Sequence, residues 1–180
     1  MTSRIVWERW VERDRDCARW FNRAAERKRI HSACRVASRL GDGMLWYSML
    51  FVLPWFGMAG RDCAWQMGIA GLVNLAVYYV VKRTMGRPRP YEACDDIQLC
   101  GRVLDRFSFP SGHALHATTF TLVLAAHFPH VAIVLAPLAA LIALSRIVLG
   151  LHYPSDVLAG VVVGTASAAA VITINFGFGF

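Results

Sequence analysis

Three short clusters carry residue types suited to chemistry on a phosphate ester. The first, Lys82-Arg83-Thr84-Met85-Gly86-Arg87-Pro88-Arg89-Pro90, closes an apolar stretch with four cations. The second is Pro110-Ser111-Gly112-His113, and the third runs from Ser145-Arg146 through His152 to Asp156. Lys82, Arg89 and Arg146 can hold phosphoryl oxygens and neutralise charge that builds in a transition state. Pro110 favours a helix start, so the backbone N–H groups of Ser111 and Gly112 are expected to form an anion site at a helix N-terminus. His152 lies four residues before Asp156, with Pro154 favouring a helix start between them. That spacing predicts that Asp156 accepts the proton-bearing ring nitrogen of His152, leaving the other nitrogen free to attack phosphorus. His113, beside the phosphate-binding turn, is then the acid for the departing oxygen and afterwards the base for water. The chain shows neither a carboxylate cluster nor a close Cys/His set, and Cys94-x5-Cys100 has no partner pair, so neither metal nor cofactor is expected.

These clusters must be positioned by elements that are mostly apolar. The chain has 180 residues, 56% of them hydrophobic and only 17% charged. Its mean hydropathy is +0.42. That balance excludes a disordered chain and points away from an ordinary soluble enzyme. Five apolar segments, at about 44–59, 63–81, 114–128, 131–149 and 157–176, read as helices of a multi-pass, all-α transmembrane bundle of about five spans. Tight turns are expected at Gly60-Arg61-Asp62 and Pro129-His130. The one long loop, 82–112, is of a length that is usually functional. Gly160, Gly164 and the run Ala166–Ala170 suit close helix packing.

Residues 3–40 read differently, as one or two amphipathic helices with Trp7, Trp10, Val11, Ala18, Phe21 and Ala25 on one stripe. Gly41 is expected to end them and Asp42 to cap the next helix. The division is therefore 1–43, helices at the membrane surface, and 44–180, the bundle. Residues 1–40 hold 11 of the 19 Lys and Arg against five acids, whereas the remaining 140 residues are almost balanced. A basic, Trp-bearing cap on an apolar body fits anionic lipid headgroups rather than a nucleic-acid groove, so membrane lipid is the expected partner and nucleic acid is not. Two crossings separate the cap from loop 82–112, and two more separate that loop from residues 145–156. All three regions are thus expected on one side of the membrane.

Taken alone, Lys82 and Arg83 would pass as snorkelling anchors. Arg146 would not, because it interrupts an apolar run where a charge costs ~2.5–3.5 kcal/mol on insertion scales. Arg87 and Arg106 read as loop charges, and His31, His116, His127 and His130 as structural histidines.

Lys82-x6-Arg89-Pro90, then Pro110-Ser111-Gly112-His113, then Ser145-Arg146-x5-His152-x3-Asp156 resembles the three-part signature of the type 2 phosphatidic acid phosphatase/vanadium haloperoxidase superfamily. Ser38–Asp42 also looks like a segment its bacterial integral-membrane lipid phosphatases carry before a core helix. The resemblance implies a helical bundle and a metal-free reaction through a phosphohistidine. His152 is then the nucleophile, Asp156 its orienting partner and His113 the general acid/base; Lys82, Arg89, Ser111, Gly112 and Arg146 bind phosphate. The expected substrate is a lipid phosphomonoester or diphosphate, of the phosphatidic acid, phosphatidylglycerophosphate or polyprenyl class. A lipid phosphotransferase and a non-catalytic membrane scaffold or transporter are the alternatives, while five apolar spans argue against a haloperoxidase. The expected location is the bacterial cytoplasmic membrane. Integral relatives usually face the periplasm, where Cys94 and Cys100 could pair. The basic N-terminal segment, with no span read before it, tips the expectation toward a cytoplasm-facing site.

Overall fold

The computed structural model describes residues 2–174, with side chains from Trp7 onward. The end of the expected fifth segment, 175–176, and of the second unit, 175–180, lies outside the described residues. Among the described residues eight α-helices follow one another: α1 Thr2–Asn22, α2 Lys28–Gly41, α3 Met44–Val52, α4 Gly57–Met85, α5 Pro90–Ala93, α6 Gly112–His127, α7 Pro129–Val148 and α8 Pro154–Ile172. Short 3-10 turns join α1 to α2 and extend α3. No strand occurs among the described residues.

Proline and glycine set the boundaries. Pro90, Pro129 and Pro154 each open a helix, where a missing N–H costs nothing. Gly86, at φ +56°, caps α4 by donating its N–H to the Lys82 carbonyl at 3.2 Å. The turn expected at Gly60-Arg61-Asp62 falls instead at Phe56-Gly57, where Gly57 takes φ +74°. Gly60–Asp62 then lie inside the first turns of α4, which carries the helix to Met85 rather than stopping at 81. Asp42 does not cap α3, whose N-cap is Gly43 with no side-chain bond; it ends α2 instead, its N–H donating to the Arg39 carbonyl at 3.1 Å.

Helix α6 sits at the centre and packs against α8, α7 and α4. Met67 and Ala70 of α4, Ala117, Val123 and Leu124 of α6, and Ile142 of α7 form the middle of the core. Between α6 and α8 the fit depends on glycine. A Cβ at Gly160 would meet the Ser111 carbonyl oxygen at 2.6 Å, and one at Gly164 the Leu115 carbonyl at 2.6 Å. Backbone therefore lies on backbone, and Ser111 N–H donates to the Asp156 carbonyl at 3.0 Å. Outside the core, Leu72, Val80, Ile133, Val134, Leu158 and Val162 are exposed, giving the bundle an apolar girdle. Residues 57–93, α7 and α8 contain stretches long and apolar enough to cross a membrane; α3 with its 3-10 extension and α6 are shorter.

The N-terminal helices close one end of this bundle. Asn22 donates to the carbonyls of Gln98 and Val148, each at 3.0 Å, and accepts Gln98 N–H at 2.9 Å. The cap, the long loop and the end of α7 thus meet at one end of the bundle, as an even number of crossings requires. The loop is not structureless, since α5 lies within it.

Lengthening a side chain at the α6–α8 contact tests this packing. Gly164→Leu should lower stability by about 1–3 kcal/mol, read as a reduced thermal unfolding midpoint in detergent. An unchanged midpoint would mean that the two helices do not pack this closely.

Candidate active site

Each signature residue arrives at the closed end of the bundle by a different element. Lys82 comes from the last turn of α4, Arg89 from the segment before α5, Ser111, Gly112 and His113 from the start of α6. Arg146 comes from the last turn of α7, His152 from the α7–α8 turn, and Asp156 from the first turn of α8. Arg89, Ser111 and Asp156 are fully buried; Arg146 is 1% exposed and His152 2%. Burying that much charge is costly unless it is partnered, so the partners are informative.

Asp105 supplies the largest part. Its carboxylate accepts from Lys82 Nζ, from Tyr78 Oη and from Arg89 Nη2, the last at 2.9 Å. Lys82 also donates to the Phe107 carbonyl at 2.7 Å, and Arg89 to the carbonyls of Asp105 (3.0 Å) and Leu151 (2.8 Å). Burial alone would raise the Asp105 carboxyl; the hydrogen bonds from Lys82 and Tyr78 and the charges of Lys82 and Arg89 win, lowering it to about 2. Arg146 has far less. Its Nη1 donates to Ser38 Oγ, while its Nε has no partner among the described residues.

His113 is held from α2 and the turn after it. Its Nε2 lies 2.8 Å from Asp42 Oδ1 and 3.2 Å from the Ser38 carbonyl. The hydrogen bond from His113 holds Asp42 below the ordinary carboxylate range against the opposing effect of burial. Gly41 permits this approach, since a Cβ there would stand 2.7 Å from the His113 ring. The expected helix cap Asp42 is therefore the histidine's partner.

The expected Asp156–His152 hydrogen bond is not formed. His152 Nδ1 lies 3.7 Å from Asp156 Oδ2, beyond hydrogen-bond reach, and has no partner among the described residues. Asp156 is engaged elsewhere: Oδ2 accepts Tyr153 N–H at 2.8 Å and Oδ1 accepts Arg87 Nη1 at 2.6 Å. Arg87, expected to be a loop charge, stacks over the Tyr153 ring at 4.0 Å and also donates to Ser155 Oγ and Asp14 Oδ2, each at 2.7 Å. Asp14 accepts Ser155 N–H at 3.0 Å as well. Helix α1 thus reaches the base of the site rather than lying only on the surface.

Burial, and then the cations Arg146, Arg89 and Lys82, push His152 well below the ordinary histidine range. That direction favours the neutral ring that an attacking nitrogen needs. Three buried polar atoms at this one place, Ser111 Oγ, Arg146 Nε and His152 Nδ1, lack partners among the described residues. The charges of Arg146, Arg89 and Lys82 act on His152, as does nearby His113, which has its own carboxylate in Asp42. Such a set can bind a tetrahedral oxyanion, attack it and protonate what leaves.

Sequence reasoning found the eight signature residues and missed Asp14, Tyr78, Arg87, Asp105 and Ser155. Only Ser38 and Asp42 carried a signal, in the Ser38–Asp42 segment. Cys94 and Cys100 are both free. The described residues contain no group of three or more His, Cys, Asp or Glu placed to hold a metal ion. Because Arg87 neutralises a buried carboxylate, Arg87→Met should cost about 3–5 kcal/mol of stability, and Asp14→Ala clearly less. Chemical unfolding in detergent ranks the two; equal losses would show that Asp156 does not depend on Arg87.

Comparison with known proteins places this geometry. Residues 63–179 match the PAP2 superfamily model. Decaprenylphosphoryl-5-phosphoribose phosphatase of Mycobacterium tuberculosis is 30% identical over 155 residues, covering 84% of each chain. Among solved structures, Aquifex aeolicus LpxE has a TM-score of 0.79 at 25% identity, over 88% of this chain and 94% of that one. The transmembrane PAP2-type phosphatidylglycerolphosphate phosphatase of Bacillus subtilis has a TM-score of 0.74 at 23% identity, over 89% and 83%, and shows the shared fold. With its signature gathered at the end of a helical membrane bundle, the chain belongs to the PAP2 superfamily and is a hydrolase of phosphate esters.

Proposed function

We propose that the protein removes a terminal phosphate from a membrane lipid, through a phosphohistidine on His152. The observation that carries this reading is the group of buried, unpartnered atoms on Ser111, Arg146 and His152, placed where the charges of Arg146, Arg89 and Lys82 act on His152. His152 Nε2 attacks phosphorus as the bond to the lipid oxygen breaks, and His113 gives that oxygen its proton. His113 then takes a proton from water, whose oxygen displaces His152 and releases inorganic phosphate. Lys82, Arg89, Arg146, the Gly112 N–H and the unpartnered Ser111 hydroxyl hold the three equatorial oxygens, whereas the Ser111 N–H, expected to share in this, is already given to the Asp156 carbonyl at 3.0 Å. Asp156, 3.7 Å from Nδ1, favours the imidazolium-like ring as it forms, and a small movement on binding would complete the hydrogen bond.

An apolar groove supports a lipid as the leaving group. It has a volume of about 500 Å3, begins at Asp42 and runs between α3, α4 and α6 past Trp46, Tyr47, Leu50, Leu72, Leu75 and Phe120. Asp42 holds the proposed acid His113, so the groove starts where the departing oxygen would be. The N-terminal unit 1–43 then rests on the membrane surface, with Trp7, Trp10 and Trp20 exposed. The location is the bacterial cytoplasmic membrane, and the basic N-terminal segment favours a cytoplasm-facing site.

His152→Ala should lose on the order of a thousandfold or more in turnover, and wild-type protein quenched on a labelled lipid phosphate should retain acid-labile phosphate. Turnover should persist in EDTA, because the cations are side chains. Substantial activity in His152→Ala, or loss in EDTA restored by magnesium, would overturn the mechanism.

The groove has its own test. Gly68 lines it, and a Cβ there meets nothing within 4 Å. Gly68→Phe should therefore fold yet reduce kcat/KM for long-chain lipid phosphates about tenfold or more, leaving hydrolysis of water-soluble p-nitrophenyl phosphate unchanged. Equal effects on both substrates would remove the groove from the reading.

A further inference from the structure

Two cavities meet at Asp42. One is the apolar groove; the other, of about 560 Å3, lies between α2, the loop around Gly101 and the end of α7. Asp42 is the one residue that lines both. The second cavity is basic, lined by His31, Arg35, Arg39 and Arg102 together with Ser38 and Asp42. Asp42 is its sole carboxylate, and that carboxylate already faces His113. None of the three arginines has a hydrogen-bond or ion-pair partner among the described residues, whereas Arg87, Arg89 and Arg146 all do. His31 Nε2–H donates to the Cys100 carbonyl at 3.0 Å, which ties the loop bearing Arg102 to the helix bearing Arg35 and Arg39. The cavity also adjoins the catalytic cations through Ser38, whose hydroxyl takes the Arg146 hydrogen bond.

Position gives the pocket its meaning. A substrate whose outgoing phosphate sits on Arg146 and whose tail lies in the groove passes the mouth of this cavity, which borders Arg146 at Ser38 and the groove at Asp42. There it meets an apolar wall on one side and the exposed guanidinium groups of Arg35, Arg39 and Arg102 on the other, of which Arg102 also acts on the Asp42 carboxylate. A leaving group that is only a neutral lipid alcohol uses the first wall and gains nothing from the second. One that also carries an anionic phosphorus centre uses both, since guanidinium groups bind phosphate oxygens in charge-assisted, often paired hydrogen bonds.

We infer that Arg35, Arg39 and Arg102 form a second anion subsite that binds a phosphate retained on the leaving portion of the lipid substrate. That phosphate is the inner one of a lipid diphosphate or the phosphodiester linking a lipid to a phosphorylated sugar. The inference rests on the lipid phosphatase reading, so binding rather than turnover is the measurement, and a failure of hydrolysis stays distinguishable from a failure of the subsite.

In neutral detergent micelles, calorimetry would compare farnesyl phosphonate with farnesyl methylenebisphosphonate, which share a tail and differ by one phosphorus group. A third arm uses a farnesyl phosphodiester bearing a terminal sugar phosphonate. Wild-type protein should bind at least one of the two-phosphorus ligands about tenfold or more tighter than the monophosphonate. The variant Arg35→Ala/Arg39→Ala/Arg102→Ala should lose that preference while keeping its monophosphonate affinity and thermal midpoint, and the Arg→Lys counterpart should keep part of it. Preference for the bisphosphonate assigns the inner phosphate of a diphosphate, and preference for the diester the sugar-linked phosphate; each supports the subsite. Equal weakening of all three ligands, as arginines that merely hold anionic headgroups would give, overturns it. So does a wild-type protein with no preference.

Discussion

Arg89 and Arg146 are buried charges at the end of an apolar helical bundle, and the architecture around them follows from that. Removing such a group from water costs several kcal/mol unless its donors are met. Each nitrogen of Arg89 has one donor met, by the Asp105 carboxylate and the carbonyls of Asp105 and Leu151. This requires the loop between α5 and α6 to fold back over the bundle rather than extend into solvent. Among the described residues Arg146 is met by Ser38, which requires α2 to lie across the same end. The loop and the N-terminal helices are thus the walls of a cationic chamber, and the apolar helices are its floor.

Precision in the floor comes from absent side chains. With Gly160 and Gly164 in α8, the start of α6 comes close enough for Ser111 N–H to reach the Asp156 carbonyl. The start of α6 and the first turn of α8 are therefore fixed to each other through backbone. Side-chain rotamers, which are softer, have little say in the spacing between the α6 turn and Asp156.

The amino-acid sequence made the bundle and the eight signature residues legible because their information is local: apolar runs of helical length, and fixed spacings within a single turn or helix start. The same locality explains what it hid. Asp14 and Asp156 share Arg87 across 73 and 69 residues, and Asp105 meets Lys82 and Arg89 across 23 and 16. Nothing in the spacing of such residues distinguishes them from loop charges. The displaced α3–α4 turn has a similar origin. Gly60-Arg61-Asp62 has turn composition, but Gly57 takes the positive φ, and the helix then runs through the charged pair. Asp42 was misread for a related reason, since a residue between glycines after a helix has the composition of a cap wherever tertiary contacts do not claim it.

The Asp105 carboxylate gives the ligand-free site a counterion of its own. Lys82 and Arg89 already hold an anion covalently tethered to the loop, so under the proposed mechanism an arriving phosphate would compete with an occupant rather than meet a bare cationic cup. The chamber then behaves as an ion exchanger with one captive anion. The tether keeps the cations aligned between turnovers, and it also gives inorganic phosphate a rival for the same donors, which opposes the trapping of product that a deep, uncompensated cluster of cations would otherwise bring.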